Sequence, residues 1–441
     1  MSKIEFVKMG INGEGIGYLN GKPVFCMSVL PGETAEVTVT EENDRYIRAE
    51  KNKIISFSED RIRSCCPYDR KCGGCSLITM KYEAQLVWKK KLLEEALWKY
   101  GHVSRKLIRN MHESPRQTAY RTACKLPVSE YGGKLVTGMY QPGTNHFAAI
   151  DSCPMHTEEL EEVRKQVLEI LNRYGLKSFR NGYGIRYLVL RGIRGHFQCA
   201  LITGRDRLPE GLGESIGKIA GMESVVQSVN TRKKGAGIFG TDPKVLYGSE
   251  GITAEVHGIS LMLSADSFFQ LNVEQAEKLY EMAVSKIDPC NTVAEAYCGV
   301  GAMSLLARDK ARHVVGIESV GSAVANAGAN ASANRVPNAR FICADAAEGL
   351  KKVCSEYQVD TLLADPPRSG MDDAMIEAVL NSEIHKIIYV SCNPATLGKN
   401  IKALKQEFDV RTVIPYDMFP NTPLIEAVAV LERRGKPKEK K

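Results

Sequence analysis

The sequence predicts an α/β protein whose last third is a doubly wound parallel sheet, preceded by a small β-barrel and a β-rich middle region. Two observations carry this expectation. Apolar runs at 292–296, 313–317, 361–364 and 386–391 are each separated by helix-length stretches, the alternation of a parallel sheet with crossover helices. Up to about residue 57 the pattern is different: Gly13, Gly15 and Gly17 punctuate the start, Pro31-Gly32 marks a turn, and residues 36–40 alternate with period two. Five or so short strands of that kind make a barrel, a shape that often binds single-stranded nucleic acid.

At 441 residues the chain exceeds one ordinary core, and ~150 residues per domain suggests about three units. Hydrophobic residues at 44% and charged ones at 25% fit a globular protein, not a disordered or membrane-embedded one. No stretch is apolar for long enough to span a bilayer, and the start lacks the apolar core of a secretory signal, so a cytoplasmic location is expected. The formal charge of +7 suits a partner bearing phosphates. Thirteen cysteines, an odd number, argue against a full set of disulfides and for metal binding or chemistry.

In the middle region a cysteine-rich segment at 65–75 precedes a helix expected over about 80–100, with Tyr82, Leu86, Leu93, Leu97 and Tyr100 along one face. Lys89, Lys90, Lys91 and Lys99 read as its solvated face. From about 115 to 259 the pattern is strand-like and rich in turns, with 187–190 as one apolar run and Gly132-Gly133 as a turn. The tail around 433–438 is basic.

The turn after the first strand of the sheet, Tyr297-Cys298-Gly299-Val300-Gly301, lets the backbone approach a ligand at the carboxyl end of a parallel strand. Glu318 ends the next strand, where a carboxylate suits ribose hydroxyls, and Asp345 after the third suits an adenine amino group. Ser304 replaces the third glycine of a dinucleotide fingerprint, which favours a smaller nucleoside ligand over a nicotinamide cofactor.

Asp365-Pro366-Pro367-Arg368 closes the fourth strand and delivers a carboxylate on a stiff loop. The next strand ends at Cys392-Asn393-Pro394, which places a thiol at the same edge. A thiolate adding to C6 of uracil makes C5 nucleophilic towards a sulfonium methyl group, and a base must then remove the C5 proton. Spacing alone does not choose between Glu426 and Asp417 for that base.

Cys66, Cys72 and Cys75 follow C-x5-C-x2-C spacing, with Cys153 as the candidate fourth ligand and Cys65 one residue off register. Thiolates this close point to a metal, and a four-cysteine zinc site and an iron–sulfur cluster are both open on spacing.

Residues 365–368, 389–397 and 417–420, followed by Thr422 and Glu426, resemble the signatures of the RNA (uracil-5-)-methyltransferase family, particularly its 23S ribosomal RNA branch. The likeness runs through nearly the whole chain: Gly13 to Pro31-Gly32-Glu33 resembles the family's TRAM domain, and residues 267–272 resemble the segment leading into its methyltransferase domain. The resemblance implies a TRAM/OB-like barrel over 1–58, a central iron–sulfur domain over 59–255 whose helix 80–100 packs on the catalytic domain, a Rossmann-like S-adenosylmethionine-dependent domain over 256–435, and a basic tail over 436–441. It implies that Cys392 is the nucleophile and Glu426 the base, that Gln270, Tyr297, Glu318 and Asp365 contact S-adenosylmethionine or the uracil, and, less specifically, that Tyr120-Arg121 lies near the target. It also implies a 4Fe-4S cluster on Cys66, Cys72, Cys75 and Cys153.

Two positions depart from the family pattern: Glu295 stands where Asp is usual, and Leu424 where His is usual two residues before the base. The expected function is methylation of uridine C5 in 23S ribosomal RNA, with no membrane and no obligate protein partner. Methylation of a transfer RNA uridine and a non-catalytic role in ribosome assembly are the alternatives.

Overall fold

The structure, a computed structural model, describes residues 2–232 and 237–435; the basic tail expected over 436–441 lies outside the described residues. The chain forms two compact units, one of residues 2–117, 285–288 and 350–435, the other of 118–232, 237–284 and 289–349. Among the described residues no helix is long and apolar enough to cross a membrane.

The first unit begins with the barrel. Strands β1 (Ser2–Met9), β2 (Gly15–Leu19), β3 (Lys22–Cys26), β4 (Glu33–Glu42) and β5 (Ile47–Ser56) close in the order β1-β2-β3-β5-β4. Alternation turns Ile4, Phe6, Val24 and Val37 into its core. Gly17 is required there, because a Cβ would lie 2.4 Å from the Glu5 carbonyl oxygen on the neighbouring strand. A single turn of helix, α1 (Asp69–Cys72), and the long helix α2 (Tyr82–Gly101) follow.

In the second unit, β6 (Ala123–Tyr131), β7 (Lys134–Tyr140), β8 (Phe147–Ala149), β9 (Ile185–Ile193), β10 (His196–Thr203), β11 (Met222–Val229) and β12 (Thr241–Gly248) form one sheet. Its order is β12-β11-β10-β9-β6-β7-β8, and Gly132 and Gly133 turn β6 into β7 with positive φ. The strand-like reading of 115–259 needs correction, because the region also contains α3 (Glu158–Arg173) and α4 (Leu212–Gly217). Leu160, Val163, Val167, Ile170 and Leu171 fall at helical spacing and pack on Leu188 and Leu190 of the sheet, and the Thr157 hydroxyl caps α3 by accepting from the Leu160 N–H at 3.3 Å. A hairpin of β13 (Gly251–Val256) and β14 (Ile259–Ser264) and helix α5 (Val273–Ser285) lead to three parallel strands. These are β15 (Cys290–Ala296), β16 (Ala311–Glu318) and β17 (Ala339–Cys343), ordered β17-β16-β15 and linked by α6 (Ala302–Leu306) and α7 (Gly321–Ala333).

After α8 (Ala346–Glu356) the chain supplies the rest of the first unit: β18 (Thr361–Ala364), α9 (Asp373–Leu380), β19 (Lys386–Ser391), α10 (Pro394–Leu404), β20 (Phe408–Tyr416) and β21 (Glu426–Arg433). Strands β18 and β19 are parallel, and β21 and β20 continue from β19 antiparallel. Helices α2 and α10 approach through glycines, a Cβ on Gly101 falling 2.9 Å from the Gly398 carbonyl oxygen.

Candidate functional site

Three predicted residues gather at one end of β18, β19 and β21. Asp365 directly follows β18, Cys392 directly follows β19, and Glu426 opens β21. Ser391 pairs with Ala427 in the antiparallel β19/β21 ladder, so the next step of the register sets Cys392 opposite Glu426. Burial is the main influence on all three. It pushes the Asp365 carboxyl up to about 7, even though part of that residue's surface reaches solvent. Burial, then the Glu426 and Asp365 carboxylates, pushes the Cys392 thiol up to about 11, against the pull of Arg368. Glu426 is 5% exposed, and burial, then Asp365, raises it well above the ordinary carboxylate range.

The surrounding motif residues hold loops. Asn393 caps α10, its side-chain oxygen accepting from the Ala395 N–H at 3.1 Å, while its amide and the Thr396 hydroxyl donate to the Arg368 carbonyl at 3.0 and 3.2 Å. The Asp365–Arg368 loop is thus tied to the residue after Cys392.

Helix α2 fixes the loop before Glu426. Gln85 and Asn421 bond reciprocally, Asn421 N–H to Gln85 Oε1 at 2.8 Å and Gln85 Nε2 to Asn421 Oδ1 at 3.1 Å. One turn on, Lys89 Nζ donates to Asp417 Oδ1 at 2.6 Å and to the Phe419 carbonyl at 3.0 Å. This corrects the reading of Lys89 as part of a solvated face: both partners of the pair are fully buried. Burial pulls the Lys89 ammonium down, and Asp417 opposes that pull. Leu424, which stands where the family has His, is half-buried, and its N–H donates to the Thr422 hydroxyl at 3.3 Å.

Of the predicted cofactor residues, Asp365 lies in the first unit, and Gln270, Tyr297, Glu318 and Asp345 lie in the second. Tyr297 has φ +64°, a left-handed conformation unusual for a tyrosine and of the kind that collects at ligand sites. The Gly299 N–H donates to Glu318 Oε2 at 3.1 Å, and the Val320 N–H to Glu318 Oε1 at 2.9 Å, so the carboxylate braces the turn. A Cβ on Gly299 would enter open space, whereas one on Gly301 would lie 2.8 Å from the Phe341 ring. The backbone is therefore bared on one side and packed on the other, a cradle that fits a nucleoside-bearing ligand. The longer Glu295 side chain is accommodated by a hydrogen bond from the hydroxyl of Ser304, the residue that replaces the third glycine of the dinucleotide fingerprint. Asp345 is exposed and its Oδ1 accepts from the Ala347 N–H at 3.0 Å, capping α8. Gln270 is buried. Tyr120 is also buried, with the Arg121 guanidinium 5.8 Å from its ring centroid.

None of the four predicted metal ligands is in a disulfide. Cys66 Sγ accepts from the Tyr68 N–H at 3.4 Å, Cys72 ends α1 before the left-handed Gly73, and Cys75 is half-buried. Cys65 is exposed. Cys153 belongs to the second unit, where burial raises its thiol. The donors match a thiolate site chemically, but among the described residues no three His, Cys, Asp or Glu side chains gather closely enough to hold a metal ion.

Residues 81–434 match the family model described as tRNA (uracil-5-)-methyltransferase, and residues 3–51 match the TRAM domain. An uncharacterised RNA methyltransferase of Listeria innocua is 35% identical over 432 residues, 95% of this chain and 95% of its own. Another, from Halalkalibacterium halodurans, is 34% identical over 436 residues, 96% of this chain and 95% of its own. The Pyrococcus abyssi tRNA (uracil-54, C5)-methyltransferase, solved with S-adenosyl-L-homocysteine, superposes with a TM-score of 0.78 at 23% identity, over 98% of this chain and 100% of that one. The two share a fold.

Proposed function

The chain belongs to the tRNA (uracil-5-)-methyltransferase family and carries a TRAM domain, and from this premise we propose that it methylates a uridine of 23S ribosomal RNA through Cys392 and Glu426. Its reaction is S-adenosylmethionine-dependent methylation of uracil C5 in RNA. The observation that carries the catalytic assignment is the β19/β21 register, which sets a thiol against a carboxylate at the strand ends.

The Cys392 thiolate adds to C6 of the base, and the electron pair of the C5–C6 double bond becomes available at C5. When bound, S-adenosylmethionine supplies an electrophilic methyl group and keeps the electron pair of its broken sulfur–carbon bond. Glu426 then takes the C5 proton; the C–H electrons restore the double bond and expel the Cys392 thiolate. A carboxylate whose proton affinity is raised by burial suits this step, because it is a stronger base than an exposed glutamate. Gln270, Tyr297, Glu318 and Asp345 are assigned to the cofactor, and Asp365 to the cofactor or the uracil.

RNA carrying 5-fluorouridine at the target cannot lose its C5 substituent, so it traps a covalent complex through Cys392. The assignment fails if Cys392→Ala still methylates. Glu426→Gln should accumulate an adduct with unmodified RNA, and normal turnover would make another group the base.

The ribosomal target rests on the TRAM barrel together with the cysteine segment. Mass spectrometry of ribosomal and transfer RNA from a strain lacking the protein should show loss of 5-methyluridine from 23S RNA; loss from transfer RNA alone would establish the other substrate. The 4Fe-4S assignment to Cys66, Cys72, Cys75 and Cys153 rests on their spacing and on the resemblance to the family's ribosomal RNA branch. Anaerobically purified protein should contain iron and acid-labile sulfide that Cys72→Ser lacks, and zinc in their place would overturn it.

A further inference from the structure

A single row of residues crosses four neighbouring segments at the catalytic end of the first unit. Cys392 stands opposite Glu426 by register, Glu426 pairs with Tyr416 of β20, and Tyr416 pairs in parallel with His112. His112 belongs to a segment laid along the outer edge of β20. The Arg109 N–H donates to the Val413 carbonyl and the His112 N–H to the Pro415 carbonyl, both at 2.8 Å, and the Asp417 N–H donates to the His112 carbonyl at 2.9 Å. Residues paired across a sheet point to the same face. The imidazole of His112 stacks on the Tyr416 ring with centroids 4.5 Å apart and planes 10° from parallel. Tyr416 is 1% exposed, whereas His112 is exposed.

We propose that His112 is a substrate-positioning residue, a ledge on which a nucleobase next to the target uridine stacks. The inference rests on the catalytic assignment above, since it is Glu426 and Cys392 that place the target at this end of the row. His112 lies two strand spacings from Glu426, roughly 10 Å, at the same end of the sheet as Asp365 and Cys392 but on the opposite flank of Glu426. Unstacked RNA bases are received on aromatic rings, imidazole among them. This ring is already fixed by backbone bonds on both sides and by Tyr416, so little side-chain freedom is lost when a base settles on it. The same stretch exposes Arg105, Lys106, Arg109 and Arg116 against Glu113, an excess of positive charge suited to the flanking phosphates.

The test uses the full chain with total RNA from a strain lacking the protein. His112→Ala should raise KM for RNA about 5- to 100-fold, with kcat and the yield of 5-fluorouridine adduct at saturating RNA unchanged. His112→Phe keeps a ring and should stay near the parent KM. His112→Leu covers Tyr416 without offering a ring, so it preserves the fold and should show the same rise as His112→Ala. An unchanged KM in His112→Leu overturns the proposal, and so does a fall in kcat at constant KM, which would mean that the ring acts through Tyr416 on Glu426. If Glu426→Gln traps the adduct while the His112 variants bind normally, only the ledge fails; if Cys392→Ala methylates, the catalytic assignment fails instead.

Discussion

Lys89 of α2 reaches Asp417, next to the end of β20, with 2.6 Å between ammonium nitrogen and carboxylate oxygen and both side chains out of solvent. Removing one partner leaves the other charge buried and uncompensated. Lys89→Met should therefore lower unfolding stability by about 3–5 kcal/mol, read as a fall in the urea midpoint. Lys89→Met with Asp417→Leu should recover most of that loss. A single variant as stable as the parent would show that the pair contributes nothing.

Asp365 is held near a pKa of about 7, above the ~4 of an unfolded aspartate. The folded state binds this proton more tightly than the unfolded chain, so the stability it confers is full below about pH 4 and is lost as pH rises through 7. Asp365→Asn removes that loss. Its melting midpoint should exceed the parent's at pH 8, by about 2–4 °C per kcal/mol relieved, and converge on it only below about pH 4, where both states carry the proton, while methylation disappears. A difference that persists on acidification would contradict this account.

Cys392, pushed up to about 11, is a slow target for alkylation at neutral pH. Its reaction with iodoacetamide, followed on its own peptide by mass spectrometry, should keep rising about tenfold per pH unit past pH 9, where an ordinary thiol with a pKa of ~8.5 levels off. Neutralising a neighbour in Glu426→Gln should speed the reaction at pH 8. A plateau near pH 8 in the parent would show that neither burial nor the carboxylates raise the thiol.

Gly299 and Gly301 should respond differently to alanine. Gly301 has φ +83° and no room beside Phe341, so Gly301→Ala should lose about 1–3 kcal/mol of stability as well as cofactor affinity. Gly299→Ala points its methyl into open space and should cost about 1–2 kcal/mol through its backbone conformation alone, yet raise the Kd for S-adenosylmethionine at least tenfold by calorimetry. Unchanged affinity in Gly299→Ala would remove the turn from the cofactor site.

Much of this was legible in local pattern. Strands β18 and β19 match the apolar runs 361–364 and 386–391, because a strand covered on both faces leaves a continuous signature. Helix α3 left a signal too, at Leu160, Val163, Val167 and Ile170, but the surrounding glutamates and turns masked it. Lys89 falls at helical spacing between Tyr82 and Leu93 on the buried face, a position at odds with a solvated lysine. Its partner lies 328 residues away, so no local pattern names it. The same distance hides what separates Glu426 from Asp417: one carboxylate is neutralised by a lysine of α2, and the other stands across from a thiol. His112 carried no signal at all, since its stack with Tyr416 exists only once the segment lies along β20.

The bonds from Gln85 to Asn421 span 336 residues, which gives the protein a timetable as well as a shape. At roughly 5–20 residues per second, α2 leaves the ribosome roughly 17 to 67 seconds before the loop that it fastens. During that interval Gln85 and Lys89 have no Asn421 or Asp417 to meet, and a lysine meant for the interior stays hydrated. The same loop leads into Glu426, so the proposed base takes its final place only when the first and last thirds of the chain meet. Maturation of the catalytic end is thereby coupled to synthesis of residues 417–426.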